Sequence, residues 1–393
     1  MRILQATNFF KPSFEAGGVA RVAYDLSKSL VKNNHEITVF TTNRSKKNIN
    51  VKANRPLNIE GIKVYYFDNL RKYFPVKIVP IPYYLPIVAR KEIQNFDIIH
   101  IHEHRSLMAI IVYYYAKKYN IPYVLQAHGS VLPFLQKQNL KKIFDIFFGY
   151  NILKDASKVI ALNETEASQY QKMGVNPYKI EVIPNGIDLS DYNNVPKKGT
   201  FRAKNSISIN DKIILYVGRL HRNKGIDLLV NSYSILIKNI PDSKLVFMGP
   251  DDGFRIELEL LCENLGVREN VLFTGFVDFD TKVAALIDSD IFVTPTFSGF
   301  PVSFLEACVF GLPIITTTKG DNLDWIDNKV GYVVPYNDEE LSDAMFNILS
   351  DETLRKKYSD EANKLIETIF SMDVFINNVY AVYQKCVKQS KYM

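Results

Sequence analysis

Short apolar runs alternate with longer amphipathic stretches along the first half of the chain. An apolar run at residues 3–7 is followed by a loop and then by residues 19–31, where Val22, Leu26 and Leu30 recur on one helical face. A strand, a loop and a helix in this order open a parallel α/β unit. Further strands of this half are predicted at residues 36–41, 62–67, 97–101, 123–126, 158–161 and 179–183.

A polar interval interrupts this pattern at residues 192–210. It contains Pro196, Gly199 and many Lys and Asn residues, so it is predicted to be a linker and a surface excursion. A strand, a loop and a helix then begin again within residues 212–217 and 225–238. Further strands are predicted at residues 244–248, 271–273, 291–294 and 314–317, with helical segments between them.

The two halves predict the domain organisation and the fold class, which is α/β. We expect one Rossmann-like domain at residues 1–187 and a second at residues 188–371, each built on a doubly wound parallel sheet. A long amphipathic helix begins at Met372, and residues 372–393 are expected to pack back on the first domain. Ligands bind beyond the carboxyl ends of parallel strands, so function is expected in the loops that follow them.

Composition and length agree with a packed two-domain protein. Of the 393 residues, 47% are hydrophobic and 23% are charged, which excludes disordered and disulfide-framework classes. A single core rarely exceeds about 250–300 residues, so a chain of this length is expected to divide. The three cysteines, Cys262, Cys308 and Cys386, are too few and too widely spaced for a disulfide framework, which favours a reducing compartment.

Charge and hydropathy narrow the location and the partners. The longest apolar stretch, residues 106–116, is far shorter than the roughly 18–20 residues of a membrane-spanning helix, and the N-terminus lacks a signal-peptide pattern. We therefore expect a cytoplasmic protein, or one bound peripherally at the inner face of the membrane. The formal net charge of +6 suits an anionic ligand or membrane surface but is too diffuse to indicate nucleic acid.

Two glycine-containing loops are candidates for phosphate binding. The loop at residues 218–225 combines Arg219 and Lys224 with the N–H groups and dipole of a helix start, which suits a diphosphate. From spacing alone, an ordinary exposed basic turn is equally compatible. Gly17 and Gly18 would let a phosphate approach the backbone closely, or they form a plain turn. Neither a dinucleotide-binding glycine motif nor a P-loop is present, so nicotinamide and ATP-hydrolysing functions lose support.

A carboxylate and several histidines are candidates for the remaining chemistry. Pro301 is expected to open a helix in which Glu306 lies among apolar residues, so the carboxylate needs a ligand hydroxyl, a positive side chain or a structural salt bridge. His128 follows a strand, where it either faces the site or caps the chain. Alternating histidines at 100, 102 and 104 have a spacing that can bind metal, but no fourth ligand is identifiable. We prefer a loop lining a polar pocket and expect no metal.

One aromatic segment has two interpretations. Residues 134–154 place apolar side chains at helical spacing, with lysines beside them. Core packing is favoured, and the alternative is peripheral docking on anionic lipid with the lysines on headgroups. The residues concerned are Leu140, Ile143, Phe144, Phe147 and Phe148, with Lys137 and Lys141.

A series of motifs in fixed order extends over nearly the whole chain. The series comprises Gly17-Gly18-Val19, His128-Gly129, Ile183-Pro184-Asn185-Gly186-Ile187-Asp188, Val217-Gly218-Arg219 with Lys224-Gly225, Thr274-Gly275-Phe276, Gly299-Phe300 with Glu306-Ala307-Cys308, and Gly311-Leu312-Pro313. It resembles glycosyltransferase family 4, whose members are retaining enzymes of the GT-B fold. The resemblance implies two doubly wound domains facing across a deep cleft, the first binding the acceptor and the second a nucleotide sugar. It implies no cofactor beyond this co-substrate, and a metal-independent reaction.

The resemblance also implies roles for individual residues. Arg219 and Lys224 would hold the diphosphate, and Glu306 would accept hydrogen bonds from the ribose. His128 would approach the hydroxymethyl end of the donor sugar. The remaining donor-binding residues would be Gly17, Gly18, Phe276, Val277, Ser298, Gly299, Phe300, Val302 and Ser303, and His102 and His104 would line an acceptor pocket.

Position 298 departs from the family pattern. The family often carries a second glutamate, separated from the one at 306 by seven intervening residues. This chain has Ser298 at that position, so a carboxylate nucleophile there is excluded. Pro301, where the family usually has glycine, removes a backbone donor. We therefore favour same-face attack by the acceptor hydroxyl. The function expected is retaining transfer of a sugar to a lipid-linked or cell-surface glycan precursor. The alternatives are a nucleotide-sugar epimerase or hydrolase of the same fold, and a non-catalytic sugar-nucleotide-binding module.

Overall fold

The chain folds into two compact α/β units. The computed structural model describes residues 1–14, 17–43, 55–69, 81–133, 138–321 and 323–390. The first unit comprises Met1–Gly186 and Met372–Met393, and the second comprises Ile187–Ser371. Each unit contains one sheet in which almost all strands are parallel, so the prediction of two doubly wound sheets is confirmed.

The first unit is built on an eight-stranded sheet. Its strands are β1 (Arg2–Ala6), β2 (Glu36–Thr42), β3 (Pro56–Ile59), β4 (Ile62–Phe67), β5 (Ile98–His102), β6 (Tyr123–Gln126), β7 (Lys158–Ala161) and β8 (Ile180–Val182). The helices that lie between β1 and β8 along the chain are α1 (Gly18–Lys32), α2 (Leu85–Glu92), α3 (Leu107–Lys118), α4 (Gln138–Phe144), α5 (Tyr150–Asp155) and α6 (Glu164–Lys172). The strand order is β3-β4-β2-β1-β5-β6-β7-β8, and among the described strands of this sheet only β3 pairs antiparallel, with β4.

The second unit is built on a six-stranded parallel sheet. Its strands are β9 (Lys212–Val217), β10 (Ser243–Met248), β11 (Val271–Gly275), β12 (Ile291–Val293), β13 (Ile314–Thr317) and β14 (Gly331–Val334). Its helices are α7 (Thr200–Lys204), α8 (Ile226–Leu236), α9 (Arg255–Asn264), α10 (Phe279–Asp288), α11 (Val302–Val309), α12 (Asp338–Ser350) and α13 (Glu352–Thr368). The strand order is β11-β10-β9-β12-β13-β14.

Each sheet has one point where the direction of strand succession reverses. In the first sheet β1 lies between β2 and β5, and in the second β9 lies between β10 and β12. At such a switch point the two adjacent loops leave in opposite directions and open a crevice beyond the strand ends. The loops after β1, β5, β9 and β12 are therefore where each unit is expected to bind a ligand.

The last helix, α14 (Met372–Ser390), returns the chain to the first unit. Its buried face includes Phe375, Val379 and Tyr383, at the spacing that the sequence pattern predicted. The Tyr383 phenol forms hydrogen bonds with Gln5 on β1 and His100 on β5. The helix therefore packs against the central strands of the first sheet.

Two strands lack the pattern that predicts a buried strand. β3 alternates exposed and half-buried positions and begins at Pro56, which is typical of an edge. β14 begins at Gly331, where an added Cβ would lie 1.8 Å from the Ile314 carbonyl oxygen. Only glycine permits that approach to β13.

The polar interval at residues 192–210 is not a surface linker throughout, and this prediction is wrong. It contains α7, and Phe201 and Arg202 are buried. The Asp288 carboxylate accepts hydrogen bonds from the Phe201 and Arg202 amides at 2.9 and 3.0 Å. The interval is polar because its buried contacts are hydrogen bonds to a charged group, which a hydropathy pattern does not reveal.

Of the five apolar residues predicted to pack in the core, four are exposed and Phe144 is half-buried, so that prediction is wrong for Leu140, Ile143, Phe147 and Phe148. Residues 134–137, including Phe134 and Lys137, lie outside the described part of the chain. From α4 through a π-helical turn, Asp145–Gly149, into α5, the inward face carries Asp145. This carboxylate accepts hydrogen bonds from the Arg105 guanidinium at 2.7 and 2.8 Å. The exposed residues, called the 140–150 patch below, are Leu140, Ile143, Ile146, Phe147, Phe148 and Tyr150.

No helix of the described segments combines the length and the hydropathy needed to cross a lipid bilayer.

Candidate functional site

The basic loop of the second unit lies at the switch point. It leaves β9 after Val217, turns through a 3-10 segment at Arg222–Lys224 and enters α8 at Gly225, whose φ of 63° favours glycine. A Cβ on Gly225 would lie 2.9 Å from the Thr296 hydroxyl, so this loop contacts the loop after β12. The two loops that the topology brings together are therefore in contact.

Lys224 is a half-buried cation of this loop. Its ammonium makes no hydrogen bond or ion pair with any residue that the structure describes, although the side chain is largely covered. Burial and the nearby Arg219 guanidinium lower the pKa of Lys224. An anion bound here would relieve both effects, since it would replace lost hydration and neutralise two adjacent positive charges.

The other two cations of this loop are exposed and paired. Arg219, with 61% of its side chain exposed, donates to Asp252 at 2.9 Å. Such a surface pair contributes only about 0–1 kcal/mol, so the guanidinium can turn to a stronger anion at little cost. Arg222 pairs with Glu257 and lies over the Phe254 ring.

Glu306 is buried in α11 and has a cationic partner. Its Oε1 accepts hydrogen bonds from the Lys282 ammonium and, at 3.2 Å, from the Tyr192 hydroxyl. The structural salt bridge considered from the sequence is therefore present. Oε2 accepts no hydrogen bond from the described residues, so one oxygen of this charged group is available to a ligand hydroxyl.

The amide of Gly299 already has an acceptor. It donates to Asp321 Oδ2 at 2.6 Å, while the neighbouring Ser298 is exposed. Burial raises the pKa of Asp321. Sequence reasoning missed this carboxylate because it lies 22 residues away along the chain, after β13. Asp321 lies in the loop after β13, which pairs with β12, and this position is the signal that could have identified it.

The start of α11 differs from the sequence prediction. Pro301 is the residue before the helix, not its first helical residue, and it supplies no side-chain cap. The amides of Val302 and Ser303 donate to no acceptor within the described residues. They are free donors at a helix N-terminus. The Phe300 side chain packs on Trp325, so only its backbone can contribute to a donor site.

Two further donor-site candidates follow β11. Phe276 is exposed, with 66% of its surface accessible, and Val277 is half-buried. Both lie directly beyond the carboxyl end of the strand. An exposed aromatic ring at this edge suits contact with a planar base.

The glycine pair of the first unit follows β1 at the other switch point. Gly17 precedes α1 with φ 125°, a backbone conformation that favours glycine. A Cβ built on it would meet no described atom within 4 Å, so the space beside the helix start is open. Gly18 is the first residue of α1, where the backbone amide has no acceptor within the helix.

His128 follows β6 in a strained, well-supported turn. Its φ is 53°, in the left-handed region that few non-glycine residues adopt. The next amide, of Gly129, donates at 2.6 Å to Glu166, which is fully buried. Sequence reasoning missed Glu166, because it lies in an ordinary polar helix start. Backbone strain held in place by a buried charge is common at functional sites.

The two histidines that the resemblance assigned to an acceptor pocket are buried, and the assignment itself stays a prediction. His102 is 1% exposed and His104 is 0% exposed. Glu103 directly follows β5 and has φ 66°, so His104 leaves the face that His100 and His102 share. It lies beside Asp145 instead, 3.7 Å from that carboxylate. Within the described ranges, no group of three or more His, Cys, Asp or Glu residues could hold a metal ion.

Comparisons with known proteins agree with this fold. Residues 16–191 match the family described as Glycosyltransferase Family 4, and residues 197–365 match Glycosyl transferases group 1. The uncharacterized glycosyltransferase MJ1607 of Methanocaldococcus jannaschii is 27% identical over 98% of this chain and 98% of its own length. The UDP-Gal:alpha-D-GlcNAc-diphosphoundecaprenol alpha-1,3-galactosyltransferase of Escherichia coli is 26% identical over 70% of this chain and 71% of its own.

A solved structure matches nearly the full length of the chain. Anabaena Alr3699/HepE in complex with UDP and glucose has a TM-score of 0.76 and 17% identity, covering 98% of this chain and all of that one. The protein described here is therefore a glycosyltransferase of the GT-B fold. It belongs to the family 4 glycosyltransferases, as its motif series predicted.

Proposed function

We propose that this glycosyltransferase is a retaining, hexosyltransferase-type enzyme that uses a nucleoside-diphosphate sugar. Its acceptor is proposed to be a hydroxyl of a lipid-linked or cell-surface glycan precursor. The observation that carries this proposal is Lys224, a half-buried ammonium at the switch point with no partner among the described residues. A protein holds an uncompensated cation in such a position at a cost in stability, which a bound anion offsets.

The donor is proposed to bind along the loops of the second unit. Lys224 and Arg219 hold the diphosphate, and the free Oε2 of Glu306 accepts hydrogen bonds from the ribose hydroxyls. The base lies by residues 276–277, and the free amides of residues 302–303 meet the rest of the donor. The leaving nucleoside diphosphate gains negative charge as the glycosidic bond breaks, and the two cations stabilise it.

The chemistry is proposed to proceed on one face of the donor sugar. The acceptor oxygen forms its bond to the anomeric carbon as the bond to the diphosphate oxygen breaks. The acceptor proton passes to that departing oxygen. Ser298 cannot serve as a carboxylate nucleophile, so no covalent intermediate is required at this position. We assign no metal ion to this step, because the two cations can neutralise the leaving group.

A lipid-linked acceptor is supported by the 140–150 patch. Phe147 and Ile146 are about two-thirds exposed, at 67% and 66%, and Lys142 on the preceding helix, α4, is exposed. Apolar side chains flanked by lysines suit insertion into an anionic bilayer surface. The Escherichia coli relative is named for an undecaprenol-linked acceptor. We therefore propose peripheral binding at the cytoplasmic face of a membrane.

Replacing Ile146 and Phe147 with serine is expected to reduce binding to vesicles containing phosphatidylglycerol at least about tenfold, because roughly 100 Å² or more of inserted apolar surface is lost. Co-sedimentation at low salt measures the effect. The matched control replaces Ile256 and Leu260, two exposed apolar residues of α9, with serine and should leave binding unchanged. Equal losses in both double variants, or no vesicle binding by the unmodified chain, would contradict lipid docking.

Thermal unfolding with a panel of nucleotide sugars tests the donor. At a concentration of about 100 Kd, a bound donor should stabilise the fold by about 2.7 kcal/mol and raise the melting temperature by several degrees. The best donor is then incubated with and without acceptor lipids. Product only with acceptor supports transfer, whereas epimerised or hydrolysed sugar without acceptor favours the alternative enzyme class. Binding without any product favours a non-catalytic module.

A further inference from the structure

A chain of hydrogen bonds runs from the C-terminal helix to His128 within the first unit. The Tyr383 phenol on α14 accepts a hydrogen bond from Gln5 Nε2 at 3.2 Å. Gln5 Oε1 lies 2.6 Å from His102 Nε2, and His102 Nδ1 lies 2.8 Å from His128 Nε2. The three side chains before His128 are at most 1% exposed, so water does not compete for these bonds.

The Gln5 carboxamide determines which atom donates and which accepts in each of these hydrogen bonds. A carboxamide oxygen can only accept, so His102 Nε2 carries a proton and donates it to Gln5 Oε1. A neutral imidazole has one ring proton, so His102 Nδ1 accepts, and His128 Nε2 must be the donor. The remaining ring atom, His128 Nδ1, is then a bare lone pair.

Both rings are neutral in the fold. Burial lowers the pKa of His128 to about 3 and lowers that of His102 well below its ordinary value. The rings of His100 and His102 are also stacked, with centroids 4.2 Å apart, which disfavours a charge on either. The donor order therefore holds at neutral pH, where neither ring gains a second proton.

Tyr383 determines which way the Gln5 carboxamide faces. Its oxygen lies 2.7 Å from His100 Nδ1 and accepts a hydrogen bond from Gln5 Nε2, which directs Oε1 toward His102. A reversed carboxamide would place Nε2 against His102 and would reverse every bond beyond it.

We propose that Tyr383, Gln5 and His102 are positioning residues that keep the proton of His128 on Nε2 and leave Nδ1 as an acceptor for a sugar hydroxyl. His128 Nδ1 takes no hydrogen bond from the described residues, and its turn is held by Glu166 through Gly129. That the hydroxyl belongs to a sugar rests on the proposed function. The tautomer of His128 does not depend on the proposed function.

The test is a ring-nitrogen NMR spectrum of the full chain labelled with 15N-histidine, recorded without substrate. Unmodified protein should show His128 protonated on Nε2. Tyr383→Phe removes both hydrogen bonds of the phenol, so His128 should become a mixture of tautomers and sugar transfer should slow about tenfold. The control is Tyr380→Phe on the same helix, whose ring stacks on His35 and which should change neither measurement.

The possible outcomes distinguish a failure of this positioning role, called the relay here, from a failure of the proposed function. A proton on His128 Nδ1 in the unmodified chain overturns the relay, and no variant needs to fold for this result. Identical His128 spectra in Tyr383→Phe and Tyr380→Phe also overturn it. The expected spectra combined with no transfer from any donor support the relay and overturn the proposed function.

Discussion

Replacing Lys224 with methionine is expected to weaken binding of a nucleoside diphosphate about 10- to 100-fold and to slow sugar transfer about 10²- to 10³-fold. The loss of affinity corresponds to one charge-assisted hydrogen bond of about 1.5–3 kcal/mol. The loss of rate corresponds to removal of one fixed donor that stabilises the negative charge developing on the leaving group in the transition state. Methionine keeps most of the side-chain volume while removing the ammonium. Calorimetric titration with the diphosphate and initial rates with the best donor measure the two effects.

The same substitution should stabilise the unliganded chain. Burial and Arg219 both lower the pKa of Lys224, so the charged form is held at a cost that methionine does not carry. A higher melting temperature without ligand, together with weaker diphosphate binding, would identify Lys224 as a binding group. A structural lysine would give a lower melting temperature.

Arg222→Met is the matched control for this experiment. Arg222 is a cation of the same loop, but it is exposed and pairs with Glu257. Diphosphate affinity and transfer should change by less than about twofold, because a surface ion pair contributes little. Equal losses in both variants would indicate a diffuse electrostatic effect, and unchanged affinity in Lys224→Met would exclude the proposed diphosphate site.

Acidification from pH 6.5 to pH 5 is expected to destabilise the first unit by about 2 kcal/mol for each of His100 and His128. Burial lowers the pKa of both to about 3, against about 6.5 in the unfolded chain. Between these values the unfolded state binds more protons, so this stability is complete above pH 6.5 and is lost as the pH falls. Glu103, whose pKa is raised by burial, acts in the opposite direction and offsets part of the loss.

Hydrogen exchange of strand amides at the two pH values measures this effect within each unit. Opening free energies of β1, β5 and β6 should fall on acidification, whereas those of β9 and β10 serve as the reference, because His221 is the only histidine of the second unit. His100→Gln should reduce the change in the first unit by about 2 kcal/mol. The quantity compared is the difference in opening free energy between the two pH values. A loss of stability that the substitution causes equally at both pH values therefore cancels. Parallel changes in both units would contradict the assignment.

The fold was largely predictable from local patterns. Strands β6, β7, β9 and β13 match the predicted bounds because their side chains form continuous apolar runs, as expected for strands covered on both faces. β3 and β14 were missed because an exposed edge and a close glycine approach leave no such run. The buried contacts of α7 were missed because their stabilising partner, Asp288, lies far along the chain.

The candidate site was predictable only in part. Motif order indicated Arg219, Lys224 and Glu306, because phosphate binding needs particular residue types at loop positions. The order gave no sign of Asp321 at the Gly299 amide or of Lys282 at Glu306. These contacts join separate elements, and neither residue has a distinctive local pattern. The 140–150 patch shows the same limit, since helical spacing defines a face but not what covers it.

The amino-acid sequence by itself determined the two α/β repeats, the glycosyltransferase family and the loops that carry cations, since these depend on periodicity, composition and motif order. Only the tertiary structure decided which cation lacks a partner, which apolar face meets solvent and which nitrogen of His128 carries its proton. Those properties arise from hydrogen bonds between residues up to 378 positions apart, as between Gln5 and Tyr383, and from burial, which exists only when the chain is folded.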